Sequence, residues 1–133
     1  MPSAAQIARE RERVRRALAE VQKRLVLAFD VKLVHEDTEG HDYAAYPRAW
    51  PLSRTAFYLD FDAAIAAETT MPDLREDMIH EVMHMVTWPL REAATKGMTD
   101  EESDRWADEV EEPVIRELTR IVATHALGRW SQR

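Results

Sequence analysis

The sequence predicts a single α+β domain: a long N-terminal helix, a small three-stranded sheet, a motif-bearing helix and a C-terminal helix. Apolar residues recur at helical spacing in three stretches, whereas two segments between the first and second stretch alternate as strands do. A chain of 133 residues supports one hydrophobic core and is too short for two domains. The expected divisions of the domain 1–133 are residues 1–27 for the first helix, 28–62 for the sheet, 71–88 for the motif helix and 99–127 for the last helix.

Composition narrows the classes of function. The formal net charge of −7 argues against a general nucleic-acid binder. The absence of cysteine excludes disulfides, thiolate nucleophiles and cysteine-based metal sites, so any metal must be bound by histidine and carboxylate. The sequence shows no signal peptide and no membrane-spanning apolar run, so we expect a cytoplasmic protein that does not engage a membrane. The small size and the arginine- and alanine-rich composition are typical of a bacterial or phage protein.

The first helix is amphipathic and basic. Ser3 is its candidate N-cap, and apolar residues recur from Ile7 to Leu25 at helical spacing. Its arginines allow two interpretations, a basic arm for nucleic acid or a solvated face of Glu–Arg pairs. The interleaved glutamates favour the solvated face. The helix is also a candidate docking surface for a protein partner.

Three strands are predicted before the motif helix. They cover residues 29–36, 43–46 and 54–62. The last has the clearest alternation, with Arg54 as its first residue and Asp62 as its last. His35, near the end of the first strand, is interpreted as a surface or packing residue.

The predicted motif helix begins in a capping pattern, with Thr70 as N-cap, Asp73 three residues later and Pro72 in the first turn. Pro89 is expected to stop it just past Trp88. Its apolar sector is Leu74, Met78, Ile79, Val82, Met85 and Val86.

On another face, this helix carries the pattern HExxH, here His80-Glu81-Val82-Met83-His84. Two histidines four residues apart project from one face of a helix, so both imidazoles can reach one ion. Zinc favours such nitrogen ligands, and the adjacent Glu81 is the candidate general base for a water at the open position. The competing interpretation is a helix with two solvated or core-edge histidines, but the well-capped helix favours the metal site.

A loop or short turn is predicted for residues 90–98, and the last helix is predicted to begin with Thr99 and Glu102 as a capping box. Pro113 is expected to kink this helix. Its predicted inward stripe is Trp106, Val110, Val114, Leu118, Ile121, Val122 and His125.

The HExxH pattern and the order of elements resemble the zincin metallopeptidases, in particular small gluzincin-like (minigluzincin-type) metalloproteases. The resemblance covers residues 28–126, and only HExxH in it is specific. It implies a zincin-like fold, one Zn²⁺ per chain, a peptide or protein substrate, and a third ligand, a glutamate, on the downstream helix. It also implies that an edge strand lies beside the substrate cleft, for which the strand between Arg54 and Asp62 is the candidate.

Geometry selects among the acidic residues of the last helix. Glu111 falls on the inward face, where a carboxylate is costly unless it is paired or metal-bound, so it is the preferred third ligand. Glu112 and Glu109 stay open as alternatives, since a kink at Pro113 can turn the face toward Glu112. Asp108 is a candidate outer-shell acceptor for a histidine N–H.

Two family features are missing. Ile115 stands where a thermolysin-type pattern has an aspartate, and residues 89–91 lack the third histidine of a metzincin. His125 lies roughly 21 Å along the helix from Glu111, too far to share its site, and is interpreted as a buried core histidine. No oxyanion-stabilising residue is assigned among Tyr43, Tyr46, Tyr58 and His41.

The leading hypothesis is a zinc metallopeptidase in which His80, His84 and Glu111 bind the ion and Glu81 is the catalytic base. The first alternative is a zincin-like metal-binding regulatory or interaction module without general proteolytic activity. The second is a metal-free helical interaction protein that docks through residues 1–27.

Overall fold

A computed structural model describes residues 2–27, 29–35, 45–49 and 56–126, with only the backbone described at 45–49 and 125–126. The strands are Asp30–His35 (β1), Ala45–Ala49 (β2) and Ala56–Phe61 (β3). The α-helices are Ala4–Leu25 (α1), Ala63–Ala67 (α2), Met71–Val86 (α3), Trp88–Thr95 (α4), Asp100–Trp106 (α5) and Glu112–Ile121 (α6). The π-helical segment Ala107–Glu111 joins α5 to α6, and a second π-helical segment, Val122–Ala126, follows α6. Residues 100–126 therefore form one continuous C-terminal helix, called the rod below. This arrangement confirms the α+β class.

α1 confirms the predicted first helix. The Ser3 hydroxyl accepts from the Gln6 N–H at 3.1 Å, and the helix ends at Val26, whose φ of 55° is left-handed. The outer face carries ion pairs such as Glu12–Arg15, as the solvated-face interpretation expects. Among the described residues, no helix combines the length and the apolar character required to cross a bilayer.

A buried ion pair on α1 was not foreseen. Glu10 is 1% exposed and accepts from the Arg13 guanidinium at 2.7 Å. Arg13 also donates to the carbonyl oxygens of Ala66 (2.8 Å) and Thr69 (2.7 Å). The pair therefore ties α1 to the C-terminal end of α2.

The sheet has the order β1-β3-β2 within the described residues. β3 pairs with β1 in parallel and with β2 in antiparallel orientation, so both of its edges are occupied. The prediction that residues 54–62 form an edge strand beside the substrate cleft is therefore wrong: this stretch contains the central strand, and it is buried on both faces. The second strand is β2; residues 43 and 44 of its predicted range lie outside the described residues.

The ends of this predicted strand also need correction. β3 ends at Phe61, and Asp62 is the N-cap of α2 instead of the last strand residue. Its Oδ1 accepts from the N–H groups of Ala64 (2.8 Å) and Ile65 (3.1 Å), and the residue is 7% exposed. A buried carboxylate that satisfies the first N–H groups of a helix has a structural role. Arg54, the other end of the predicted strand, lies outside the described residues.

α3 confirms the motif helix but ends earlier than predicted. The Thr70 hydroxyl accepts from the Asp73 N–H, and Pro72 occupies the first turn. The helix stops at Val86, and Pro89 lies in the first turn of α4, where the missing proline N–H costs nothing. The prediction of a loop or short turn after Pro89 is therefore wrong for residues 90–95. Val86 is also 45% exposed, outside the apolar sector to which it was assigned.

The rod begins as predicted, with Thr99 and Glu102 forming a capping box. The disturbance expected at Pro113 takes the form of a π-turn: the Glu112 N–H donates to the Ala107 carbonyl, five residues earlier. A wide turn gives room to the proline ring, which would crowd the preceding carbonyl of a regular α-helix.

The π-turn moves the inward face of the rod by one residue. Val110, Val114 and Ile121, which were predicted to face inward, are 47%, 52% and 42% exposed. The buried residues are instead Glu111, Ile115 and Thr119. A π-turn holds one residue more than an α-turn, so the stripe that runs through Trp106 continues at Glu111 instead of Val110.

Candidate metal centre

The two motif histidines converge on one carboxylate. His84 Nε2 lies 2.9 Å from Glu112 Oε1, and His80 Nε2 lies 3.2 Å from Glu112 Oε2. The imidazole centroids are 5.0 Å apart, as expected for residues one helical turn apart. The ligand atoms of the three residues all lie within 4.8 Å of one another, which makes them a candidate metal-binding group.

The group contains Glu112, the alternative third ligand, and not the first choice, Glu111. Glu112 follows the π-turn directly, and α6 packs against α3 there. The π-turn therefore leaves Glu111 on the inner face and presents Glu112 to the histidines. Glu109, the third candidate, is exposed and does not belong to the group.

The burial of Glu111, which was explained from the sequence by metal binding, is explained in the structure by two neighbouring side chains. Its Oε1 accepts from Arg91 Nη1 at 2.7 Å and lies 3.6 Å from His84 Nδ1, so a cation and an imidazole compensate the buried carboxylate. Burial nevertheless raises the pKa of Glu111, with Arg91 acting against the shift. Glu111 is thus the carboxylate beside His84 Nδ1, whereas Asp108, the predicted candidate for that contact, is exposed.

Sequence reasoning missed Arg91 because it placed residues 90–98 in a loop or short turn. The available signal was local: residues 88–95, WPLREAAT, combine a proline suited to a first turn with strong helix formers.

The pKa shifts of His84 and Glu112 suit metal binding. Burial lowers the pKa of His84 and so favours the neutral imidazole that ligates metals. Burial acts to raise the pKa of Glu112, but His80 and His84 outweigh it, and the net shift is downward. A neutral imidazole and an ionised carboxylate are the forms that donate electron pairs to a cation.

Glu81 is a buried carboxyl beside this group. It is 7% exposed, and its Oε2 atom is buried without a hydrogen-bond partner among the described residues. Desolvation, together with the negative charges of Glu112 and Asp77, raises the pKa of Glu81 well above its ordinary value of 4.5. A buried carboxyl with a raised pKa next to convergent ligands is typical of a catalytic acid–base group.

Asp77 was also missed. It lies one turn before His80 and Glu81, and burial, assisted by Asp73, raises its pKa to about 6. The sequence signal was its spacing, because residues three and four apart on a helix are neighbours.

Of the remaining polar candidates, His35 and Tyr58 lie in the sheet. His35 contacts the Phe61 ring edge-on at 5.5 Å, which confirms it as a packing residue. Tyr58 lies in the central strand. His41 and Tyr43, and the side chains of Tyr46 and His125, lie outside the described residues.

The donor set fits zinc. Two imidazole nitrogens and one carboxylate oxygen are the three-ligand complement of many catalytic zinc sites, and imidazole is a donor that zinc accepts more readily than calcium or magnesium does. The partnerless Oε2 of Glu81 further indicates that a polar species belongs beside it.

Comparisons of the chain with protein-family models, curated proteins and solved structures found no significant match.

Proposed function

We propose that this protein is a zinc-dependent metallopeptidase of the zincin type. The observation that supports this best is the position of Glu81. Its buried carboxyl, whose Oε2 has no hydrogen-bond partner among the described residues, adjoins the convergent His80–His84–Glu112 group. A helix that carried two solvated histidines would need neither the convergence nor the buried acid.

Each residue has a distinct role in the proposal. His80, His84 and Glu112 hold the ion, and the ion when bound acidifies water and polarises a peptide carbonyl. Glu81 accepts a proton from the attacking water and delivers it to the leaving amine. The raised pKa of Glu81 suits both transfers, since the carboxyl must gain and then lose a proton near neutral pH.

The exposure of the two histidines and the order of the strands suggest how a substrate reaches the centre. His80 has 24% of its side chain exposed and His84 only 8%, so the centre is more open on the His80 side. Among the described strands, β2 is an outer one, antiparallel to β3, and it packs against α3. We assign to β2 the role predicted for residues 54–62: an extended peptide pairs with its outer edge and passes the centre.

Glu81→Gln tests the mechanism. The amide keeps the size of the side chain but cannot accept the proton, so zinc should remain bound while cleavage of a peptide library is lost. Glu76→Gln, an exposed position on the same helix, is the matched control and should cleave like the wild type. Full activity in Glu81→Gln would contradict the mechanism, whereas stoichiometric zinc without cleavage in the wild type would favour the regulatory-module alternative.

A further inference from the structure

His84 is held on both sides of its ring. Nε2 lies 2.9 Å from Glu112, and Nδ1 lies 3.6 Å from Glu111 on the opposite edge. The His84 side chain is 8% exposed and that of Glu111 is 5% exposed, so water screens this contact little. Two consecutive glutamates of the rod therefore approach the two nitrogens of one imidazole.

Glu111 is itself fixed by α4. Arg91 Nη1 donates to Glu111 Oε1 at 2.7 Å. The Arg91 guanidinium lies 5.2 Å from the centroid of the Trp88 ring, and Trp88 contacts the Phe57 ring edge-on at 5.7 Å. Phe57 is fully buried in β3. A continuous series of contacts thus connects the core of the sheet to the outer edge of His84.

The geometry of the chain keeps these groups together. α4 starts two residues after α3 ends, so Arg91 is anchored one short helix away from His84. The backbone of the π-turn fixes Glu111 next to Glu112. The segments that supply His84, Arg91 and Glu111 are therefore held by short covalent connections as well as by side-chain contacts.

We propose that Glu111 and Arg91 are positioning residues for His84 and that they strengthen zinc binding; the zinc part of this proposal rests on the proposed function. When His84 binds zinc through Nε2, its remaining proton lies on Nδ1, and the Glu111 carboxylate, 3.6 Å away, stabilises that tautomer electrostatically. Arg91 acts through Glu111: it fixes the oxygen and balances a negative charge that would otherwise adjoin Glu112.

Zinc affinity tests the proposal. It is measured by competition with a chromogenic chelator for wild type, Glu111→Gln, Arg91→Met, the double variant and Glu109→Gln. We expect Glu111→Gln to weaken zinc binding by roughly 10- to 100-fold, the usual effect of removing an outer-shell partner of a ligating histidine. Arg91→Met should have a smaller effect in the same direction. Glu109→Gln, an exposed control on the same π-turn, should leave the affinity unchanged.

The double variant separates positioning from a merely structural ion pair. If Arg91 acts through Glu111, the double variant should bind zinc as Glu111→Gln does, without a further loss. Additive losses, or wild-type affinity in a folded Glu111→Gln variant, would overturn the proposal. If Glu111→Gln does not fold, Arg91→Met takes its place: weaker zinc binding supports the proposal and wild-type affinity overturns it.

A second readout does not depend on zinc. In metal-free protein, ¹⁵N NMR of the imidazole rings should show a shift of His84 Nδ1 in Glu111→Gln, with the His80 signals nearly unchanged. An unchanged His84 Nδ1 would overturn the contact itself. If the wild type binds no zinc but the His84 signal moves, the proposed function fails while the positioning contact stands.

Discussion

The two helices that form the candidate centre are held in place by different means. α3 buries a continuous apolar face, with Leu74, Met78 and Val82 fully buried. The C-terminal rod buries one large apolar side chain of its own, Ile115, among the described residues, and places Glu111 and Thr119 beside it. Its π-turn region contacts α3 and α4 through Glu112 and Glu111. The core therefore fixes the histidines, whereas polar contacts at the centre fix much of the part of the rod that completes it.

The largest expected effect on stability tests which residues of the rod face the core. Ile115→Ala should lower the free energy of unfolding by about 2–5 kcal/mol, because it leaves a cavity at a position that is 1% exposed. Val114→Ala, one residue earlier and 52% exposed, should change it by less than about 0.5 kcal/mol. Denaturant unfolding measures both. A larger loss of stability in Val114→Ala than in Ile115→Ala would mean that Val114 faces inward, as predicted from the sequence. That result would contradict the π-turn.

The next effect concerns how much the proposed zinc ion stabilises α6 compared with α3. Zinc at 100 times its dissociation constant should stabilise the folded protein by about 2.7 kcal/mol. Because α3 is already packed, hydrogen exchange with and without zinc should show the larger gain in protection in α6. Equal gains in α3 and α6 would show that the core holds both helices equally.

A smaller effect concerns Glu81 in protein kept metal-free by chelator. Its carboxyl ordinarily titrates near 4.5 when unfolded and at a higher pKa when folded, so the folded protein binds the proton more tightly. Stability is therefore lost as pH rises from 4.5 through the folded pKa. The glutamine of Glu81→Gln carries no charge to bury, so this variant should be more stable than wild type at about pH 8.

Unfolding of both proteins across the range from mildly acidic to mildly alkaline pH checks this expectation. The difference between them should be small at the acidic end and should widen toward the alkaline end. A constant difference across the range would mean that Glu81 does not titrate abnormally. Glu76→Gln, exposed on the same helix, serves as the control.

The contrast between the helices also explains what the sequence could predict. The cap of α3, most of its apolar face and the shared face of His80 and His84 are local properties of one helix. The structure agrees with these predictions except at Val86, which is exposed. The choice between Glu111 and Glu112 depends on a π-turn, which leaves no periodic signal in the sequence. Glu111 was rightly placed on the inner face, but its compensating partner is a cation from a helix predicted as a loop.

The sheet also shows that local patterns predict an element but not its contacts with distant parts of the sequence. Residues 54–62 were predicted as a strand from alternation, which is local, and β3 confirms a strand there. Its central position depends on pairing with β1 and β2, which come from separate stretches of the sequence. Alternation alone does not distinguish an edge strand from a central strand that is covered on both faces. Nor does it show that Asp62 leaves the strand to cap α2.

Zinc content tests the metal centre most directly, by native mass spectrometry of wild type, Glu112→Gln and Glu111→Gln, each supplied with a modest excess of zinc. We predict one zinc per chain in the wild type, none retained in Glu112→Gln, and one retained in Glu111→Gln with weaker affinity. Zinc retained in Glu112→Gln and lost in Glu111→Gln would contradict the assignment of Glu112 as the third ligand. A wild type without zinc would contradict the metal centre itself.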